Sequence, residues 1–418
     1  MPKFTQIIAR EILDSRGHPT VETTVVLDSG HWAVASVPSG ASTGSHEDVE
    51  LRDNDPNRLQ GLGILKAVNN VNTIIAPKLL GMNVEDQEGI DNTMLELDHT
   101  KNESRLGANA ILSVSIAALK AAAASEGKPL FAYIHDRYSK DTYLTIPAPT
   151  FNLINGGKHG AGNLDFQEFH IIPSTRFTYP QALIIAVEIN LALKKELIHR
   201  GAIHSVGDEG GFAPNLFTNT DALELLALVI KNSPYNLQQD VFLGLDVAAD
   251  SFYQNGKYLI KDVPRPLDAE GLAALYASLI KEYNLFSIED PFHEGDWKAW
   301  AKFQKSLPPH LLLVGDDLLT TNAERLRTAI KEKACNTILV KPNQSGTITE
   351  TIQVIQLARE NSINTIVSHR SGETNDTFIA DFAVGMAAGF TKFGAPVRGE
   401  RVAKYNRLLE IESYLKRK

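Results

Sequence analysis

Four charged residues each close a short apolar run: Asp246 in GLDVA, Glu289 in FSIEDP, Asp316 in LLLVGDD and Lys341 in TILVK. A fifth run, NTIVSHR, leads into the tetrad Ser-His-Arg-Ser at 368–371. Three acids followed by Lys, His and Arg suit a divalent metal and an anion. Hard cations such as Mg²⁺ take carboxylate oxygens, while guanidinium and ammonium groups take what the metal leaves of a phosphate or carboxylate. Any one acid alone reads more plainly as a strand-terminal cap or ion-pair partner; three on successive strands read as a ligand set. Asp290 and Asp317 adjoin them, but period-two alternation turns them to the other face and gives them supporting or structural roles. Lys341, ending an apolar strand near a metal and Lys392, is expected to have a depressed pKa, as a general base needs.

These side chains need elements that set them side by side. After the first interval the charges recur every roughly 25–30 residues, the length of one βα unit, and charged strand ends are how a parallel αβ barrel builds a site. Strands are expected at 151–154 and 167–172 and helices at 179–201 and 221–232, with regular βα units beyond. The first 140 or so residues differ. Short β-rich segments at 5–9, 20–28 and 31–38, separated by turn signals, predict an antiparallel meander. Helical periodicity follows at 63–75, 87–98 and 108–125. With a linker at 138–149, around Pro147 and Pro149, the expected organisation is an N-terminal α+β domain at 1–138 and a barrel at 139–418.

Composition narrows the function classes. With 418 residues, 43% of them hydrophobic, the chain can bury two cores. A net charge of −9, without a basic block longer than residues 416–418, disfavours a nucleic-acid binder, so an anionic ligand needs local cations. The single cysteine, Cys335, allows no internal disulfide and points to a reducing compartment, with the cytoplasm as default. No signal-like apolar core opens the chain, and no uninterrupted apolar run approaches a membrane span. A soluble protein is expected, with the alanine-rich stretch at 108–124 as a buried helix.

Two glycine-rich segments and two glutamates complete the candidates. SVPSGASTG at 36–44 reads either as a mobile loop that folds over a ligand or as an ordinary surface turn. NGGKHGAGN at 155–163 fails the P-loop pattern because His159, not Ser or Thr, follows Lys158. His159 there reads either as a ligand contact or as a structural histidine. Glu168, in an alternating strand, needs a partner. Glu209, in GDEGGFAPN, reads alone as a solvated turn; beside Glu168 it could share a proton, raising one pKa toward neutrality and supplying an acid.

The segments SVPSGASTG, LGANAILSVS, GDEGGFAPN, SIEDPF, VGDDL, VSHRSGETNDTFIADFAVG and AKYNRLLEIE resemble the enolase family along essentially the whole chain. The resemblance implies a small α+β domain followed by a (β/α)8-type TIM barrel with an irregular ββαα start. It implies a hydro-lyase of glycolysis and gluconeogenesis that interconverts 2-phosphoglycerate and phosphoenolpyruvate with two Mg²⁺ per active site, as a homodimer or an assembly of dimers. Residue by residue, it makes Asp246, Glu289 and Asp316 the ligands of one Mg²⁺ and Ser39 a ligand of the second. Lys341 becomes the base and Glu209 the acid, with Glu168 beside it. Arg370 and Ser371 match phosphate contacts, and His159, His369 and Lys392 the remaining substrate contacts. His18, Pro342, Ser345 and Gly399 depart from the usual pattern; none is a carried-over catalytic position.

Two other readings compete. Another Mg²⁺-dependent, proton-abstracting dehydratase would act on an unphosphorylated acid. A binding role follows from family members that serve as plasminogen receptors or join RNA-processing assemblies; it would add a cell-surface or secreted pool and use the terminal Lys418. A frayed, solvated tail is the plainer reading of residues 416–418.

Overall fold

Alternation of buried and solvated residues shapes the N-terminal strands β1 (Phe4–Leu13), β2 (Pro19–Leu27) and β3 (Trp32–Ser36), as expected of a sheet covered on one face. The computed structural model, which describes residues 1–40, 44–160 and 163–417, pairs them antiparallel in the order β1-β2-β3. Helix α1 (Ala108–Ser125) packs on β2 and β3, where the Thr23 and Ser113 hydroxyls share a 2.6 Å hydrogen bond. By length and composition α1 could cross a membrane, but 83% of it is buried inside the fold, so it serves as a core helix. The helix expected at 63–75 is broken into Leu65–Asn70, a π turn at Val71–Ile75 and a further turn at Ala76–Leu79. Pro77 has no N–H with which to continue a regular ladder there.

Eight strands close a barrel: β4 (Ala148–Asn155), β5 (Glu168–Pro173), β6 (Val241–Asp246), β7 (Ser287–Glu289), β8 (Leu312–Gly315), β9 (Thr337–Val340), β10 (Asn364–Ser368) and β11 (Phe390–Lys392). Neighbours follow chain order and β11 closes on β4. β5 runs antiparallel to β4 and β6, whereas the other pairs are parallel. Two helices, Tyr179–His199 and Asn219–Lys231, follow β5, and six βα units complete the ring, so the irregular ββαα start is present. Part of the expected linker belongs to regular structure, since helix Leu130–Tyr138 ends in it and β4 begins in it.

Inside the barrel the residue types separate by height. Buried Leu312, Val314, Leu339 and Ile366 form an apolar cluster with Phe286 and Phe390 packed on it. Charged residues occupy the strand C-termini above this floor. The reversal of β5 matters here, because it brings the first residue of that strand, Glu168, to the same rim, in register with Asp246 at the end of β6. The N-terminal unit is strapped to this rim. Ser39 and Gly372 exchange backbone hydrogen bonds of 2.7 and 2.9 Å, and Lys120 of α1 reaches Asp376 at 2.6 Å. Residues 41–43 of the 36–44 segment, 161–162 of the second glycine-rich segment, and Lys418 lie outside the described residues.

Candidate active site

Asp246, Glu289 and Lys392 are the last residues of β6, β7 and β11. Asp316 and Lys341 come one residue after β8 and β9, and His369, Arg370 and Ser371 follow Ser368 at the end of β10. Parallel register makes Asp246 a neighbour of Glu289 and Ser368 a neighbour of Lys392. His159 sits in the loop after β4, and Glu209 in the loop between the paired helices. Together with Gln167, Glu168 and Ser368, most of these residues line one narrow cleft.

The Lys392 ammonium is the hub, 2.9 Å from Glu168, 3.0 Å from Asp246 and 2.9 Å from Glu289. Lys341 pairs with Asp316 Oδ2, and Gln344 donates to Asp316 Oδ1 at 3.1 Å. Gln167 donates to Asp246 at 3.2 Å. On the other side, His159 Nδ1 stands 3.1 Å from Glu168 and 3.5 Å from Glu209, and His170 lies 2.8 Å from Glu168. Ser371 donates to Glu209 Oε1 at 3.0 Å, and Asn152 donates to Glu209 Oε2 at 3.2 Å. Buried Arg401 donates to His369 Nδ1 at 2.5 Å. A guanidinium can only donate, so Nδ1 must be the unprotonated nitrogen, and the His369 proton sits on Nε2, 3.3 Å from Glu209 Oε2.

Burial raises the cost of every charge here, and specific partners decide which way each group moves. Burial opposes the charged form of Lys392, but Asp246, Glu168 and Glu289 outweigh it and hold the group well above the usual lysine range. Lys341 likewise moves up, because Asp316 outweighs desolvation. The depression expected from burial and like charge is therefore not met: the Asp316 charge beside Lys341 wins. Burial and Asp246 push Glu289 well above the usual carboxylate range.

The glutamate pair also departs from expectation. Burial and the Glu168 charge push Glu209 up, yet His159 and His369 hold it down at about 2. Burial opposes ionisation of Glu168 too, but Lys392 and His159 hold it well below the usual range. Neither glutamate is the raised acid. Against burial, Glu209 and Glu168 raise His159, so the proton of this cluster belongs to the imidazole between them.

Models of two enolase domains match the chain: the N-terminal domain over residues 4–134 and the C-terminal TIM barrel domain over residues 143–418. The chain belongs to the enolase family.

Enolases are metal-dependent lyases, and the donor set can be tested for that chemistry. Buried carboxylates Asp246 and Glu289 already converge on one ammonium, and Asp316 pairs with another. An all-oxygen set that needs compensating positive charge fits a hard divalent cation. Among the described residues, two groups also bring ligand atoms within 4.8 Å of one another, Asp290/Asp316/Asp317 and His159/Glu168/Glu209. In the first, Asp290 accepts from the backbone N–H groups of Asp316 at 3.0 Å and Asp317 at 2.7 Å. Its carboxylate thereby fixes the turn that presents Asp316, as a supporting residue should.

Two enolase-matched residues are engaged with other partners. Ser39 donates to Asp14 at 2.7 Å and accepts from Arg16 at 2.8 Å. It is not among the residues lining the cleft, though its backbone partner Gly372 adjoins Ser371. Arg370 forks onto Glu47, at 2.9 and 3.2 Å, and donates to Asn343 at 2.9 Å. Sequence reasoning passed over Gln167, Gln344, Glu47, Asn152 and Arg401. Gln167, next to Glu168 at the start of a barrel strand, carried a local signal; the others meet the site only through the fold.

Proposed function

We propose that the chain catalyses the reversible dehydration of 2-phosphoglycerate to phosphoenolpyruvate, with Lys341 as base and Glu209 as acid. The observation that supports this most is that a lysine and a glutamate from opposite halves of the barrel sequence line one buried cleft, beside the carboxylates of Asp246 and Glu168. Bound Mg²⁺, one ion on Asp246, Glu289 and Asp316 and a second reaching Ser39 with the substrate, would supply positive charge against the substrate carboxylate, the arrangement known for enolase-superfamily sites.

Lys341 must lose its proton before it can act, and its pairing with Asp316 opposes that. A cation held by Asp316 would offset the charge that raises Lys341, while Arg370 and Lys392 act to lower it. Its free amine takes the proton from C2. The C3–O bond breaks as the departing hydroxyl receives a proton from Glu209, and C2=C3 forms with release of water. Glu209 is ionised until substrate arrives; the proton it needs stands on His159, 3.5 Å away. Neutral His369 keeps its N–H on Glu209 throughout. Lys392 stays charged beside the substrate carboxylate, with Glu168 next to it. Arg370 exchanges Glu47 for the phosphate, with Ser371 and His159 at the same end.

The reading extends to a catalytic domain at 139–418 under a capping domain at 1–138, and to a cytoplasmic homodimer or assembly of dimers. A secondary plasminogen-binding role would rest on Lys418, and deletion of that residue without change in plasminogen binding would remove it; an RNA-processing partner rests on the family resemblance alone. The test of the main reading is ultraviolet detection of the conjugated enol product from 2-phosphoglycerate, with Mg²⁺ and after chelation. Turnover should require Mg²⁺, and Lys341→Ala should lower it by about 10²–10⁴-fold, the range for a lost acid–base group, with unchanged circular dichroism. Equal turnover of unphosphorylated glycerate would instead favour a dehydratase of another acid.

A further inference from the structure

Beneath Glu168, inside the barrel, stands a buried histidine to which the proposed reaction gives no task. His170 is 2% exposed and shares β5 with Glu168, in the segment FQEFH. Period-two alternation turns both side chains to the same face of the strand. Register sets His170 against Asn152 of β4 and Gly244 of β6, one layer below the rim where Glu168 meets Asp246. An added Cβ at Gly244 would come within 2.3 Å of Ser287 Oγ and 3.0 Å of Ile172 Cδ1, so this layer of the barrel is filled.

The His170 ring has one hydrogen-bond partner among the described residues: its Nε2 lies 2.8 Å from Glu168 Oε2. Burial opposes ionisation of Glu168, but Lys392, His159 and His170 outweigh it. An ionised carboxylate can only accept, so Nε2 carries the proton. A buried imidazole is costly unless its polar atoms are matched, and here the match is a carboxylate of the cleft rather than a backbone group.

Glu168 has two other donors. Lys392 shares Oε2 at 2.9 Å, and His159 stands 3.1 Å from Oε1. Both line the cleft, and His170 does not. In the proposed reaction Lys392 turns its charge to the substrate carboxylate and His159 gives up its proton, so each loosens its hold on Glu168 during turnover. His170 meets no substrate, and its bond persists. We infer that His170 is a positioning residue, whose Nε2–H anchors Glu168 from inside the barrel while the substrate draws on Lys392 and His159. This role rests on the enolase reading and adds to it a residue that never touches the substrate.

The test has two arms, both on the full chain. The first reads the bond without turnover, by NMR of isotope-labelled histidine with the His170 signals assigned by their loss in His170→Gln. Nε2 should carry a proton that is shifted downfield and slow to exchange, and Glu168→Gln should move it upfield. An unprotonated Nε2, or a signal that Glu168→Gln leaves in place, overturns the anchor. The second arm is the 2-phosphoglycerate assay. His170→Leu should lower kcat by about 10–100-fold, the factor expected for one lost bond to a charged group, with KM nearly unchanged. His170→Gln, whose amide nitrogen can stand in for Nε2, should recover most of that loss, and His170→Met replaces His170→Leu if the latter fails to fold. An unchanged kcat in the apolar variant overturns the role, as does an equal loss in His170→Gln, which would trace the effect to ring packing. A wild type without turnover would count against the enolase reading, while the NMR arm still decides the anchor.

Discussion

At the scale of single residues, the histidines decide the protonation of the cleft. Glu209 is held at about 2 in the folded chain, below its ordinary 4.5. A depressed carboxylate contributes stability that is fully present above its unfolded value and is lost as pH falls through its folded one. The window is therefore about pH 4.5 down to 2, and the full contribution is about 3 kcal/mol. Urea melts should show wild type losing stability faster than Glu209→Gln as pH falls from 5 to 3. His159 shifts the other way, so its share is full below its unfolded pKa and fades as pH rises through its raised folded one. Arg401 makes a different kind of contribution. It donates to His369 and to the carbonyls of Arg370 and Ser371, each at 2.6 Å, and of Asp208 at 3.1 Å. Arg401→Leu leaves His369 Nδ1 and the carbonyls of Arg370 and Asp208 without that donor and leaves the Ser371 carbonyl only a 3.4 Å bond from Ser15, which should cost about 3 kcal/mol or more in denaturant titration. Because loss of the donor also frees the His369 tautomer, the kcat of any folded Arg401→Leu variant should fall more than KM rises.

At the scale of elements, the turns after the barrel strands fix where the strand-end acids stand. Asp290 adopts a positive φ of 42° and uses both carboxylate oxygens to hold the backbone of Asp316 and Asp317. Asp290→Ala should destabilise the fold by about 1–3 kcal/mol through two unsatisfied N–H groups. It should also raise the Mg²⁺ concentration needed for half-maximal turnover by roughly 10–100-fold, as lost outer-shell support does. A thermal melt and a Mg²⁺ titration of the same variant separate the two effects. The reversed β5 matters at the same scale, since a parallel strand there would carry Glu168 to the barrel floor.

At the scale of the whole molecule, a chain of net charge −9 gathers the cations Lys341, Arg370 and Lys392 at one cleft, where the proposed anionic substrate would meet them. The N-terminal unit completes that rim: Glu47 reaches Arg370, and Asp376 accepts from both Lys120 and the backbone of Ser36. These straps predict that the two units melt together. Calorimetry should show one transition, and Lys120→Met, which leaves Asp376 without its ammonium, should lower its midpoint and bring a low-temperature shoulder into view.

The sequence by itself determined the barrel period, the meander, the strand-end acids and the family, because these depend on local periodicity and on motifs contiguous in the chain. His159, Glu168 and Glu209 were legible as candidates for the same reason. Only the tertiary structure decided what each charge does. Lys341 shifts upward because Asp316 stands beside it, 25 residues away in the chain. Glu168 and Glu209 stay ionised because Lys392, His159 and His369 surround them. Arg370 meets Glu47 across 323 residues. Pairwise electrostatics falls off over a few ångströms while the chain brings such partners together from hundreds of residues apart, so residue type was readable in one dimension and protonation only in three.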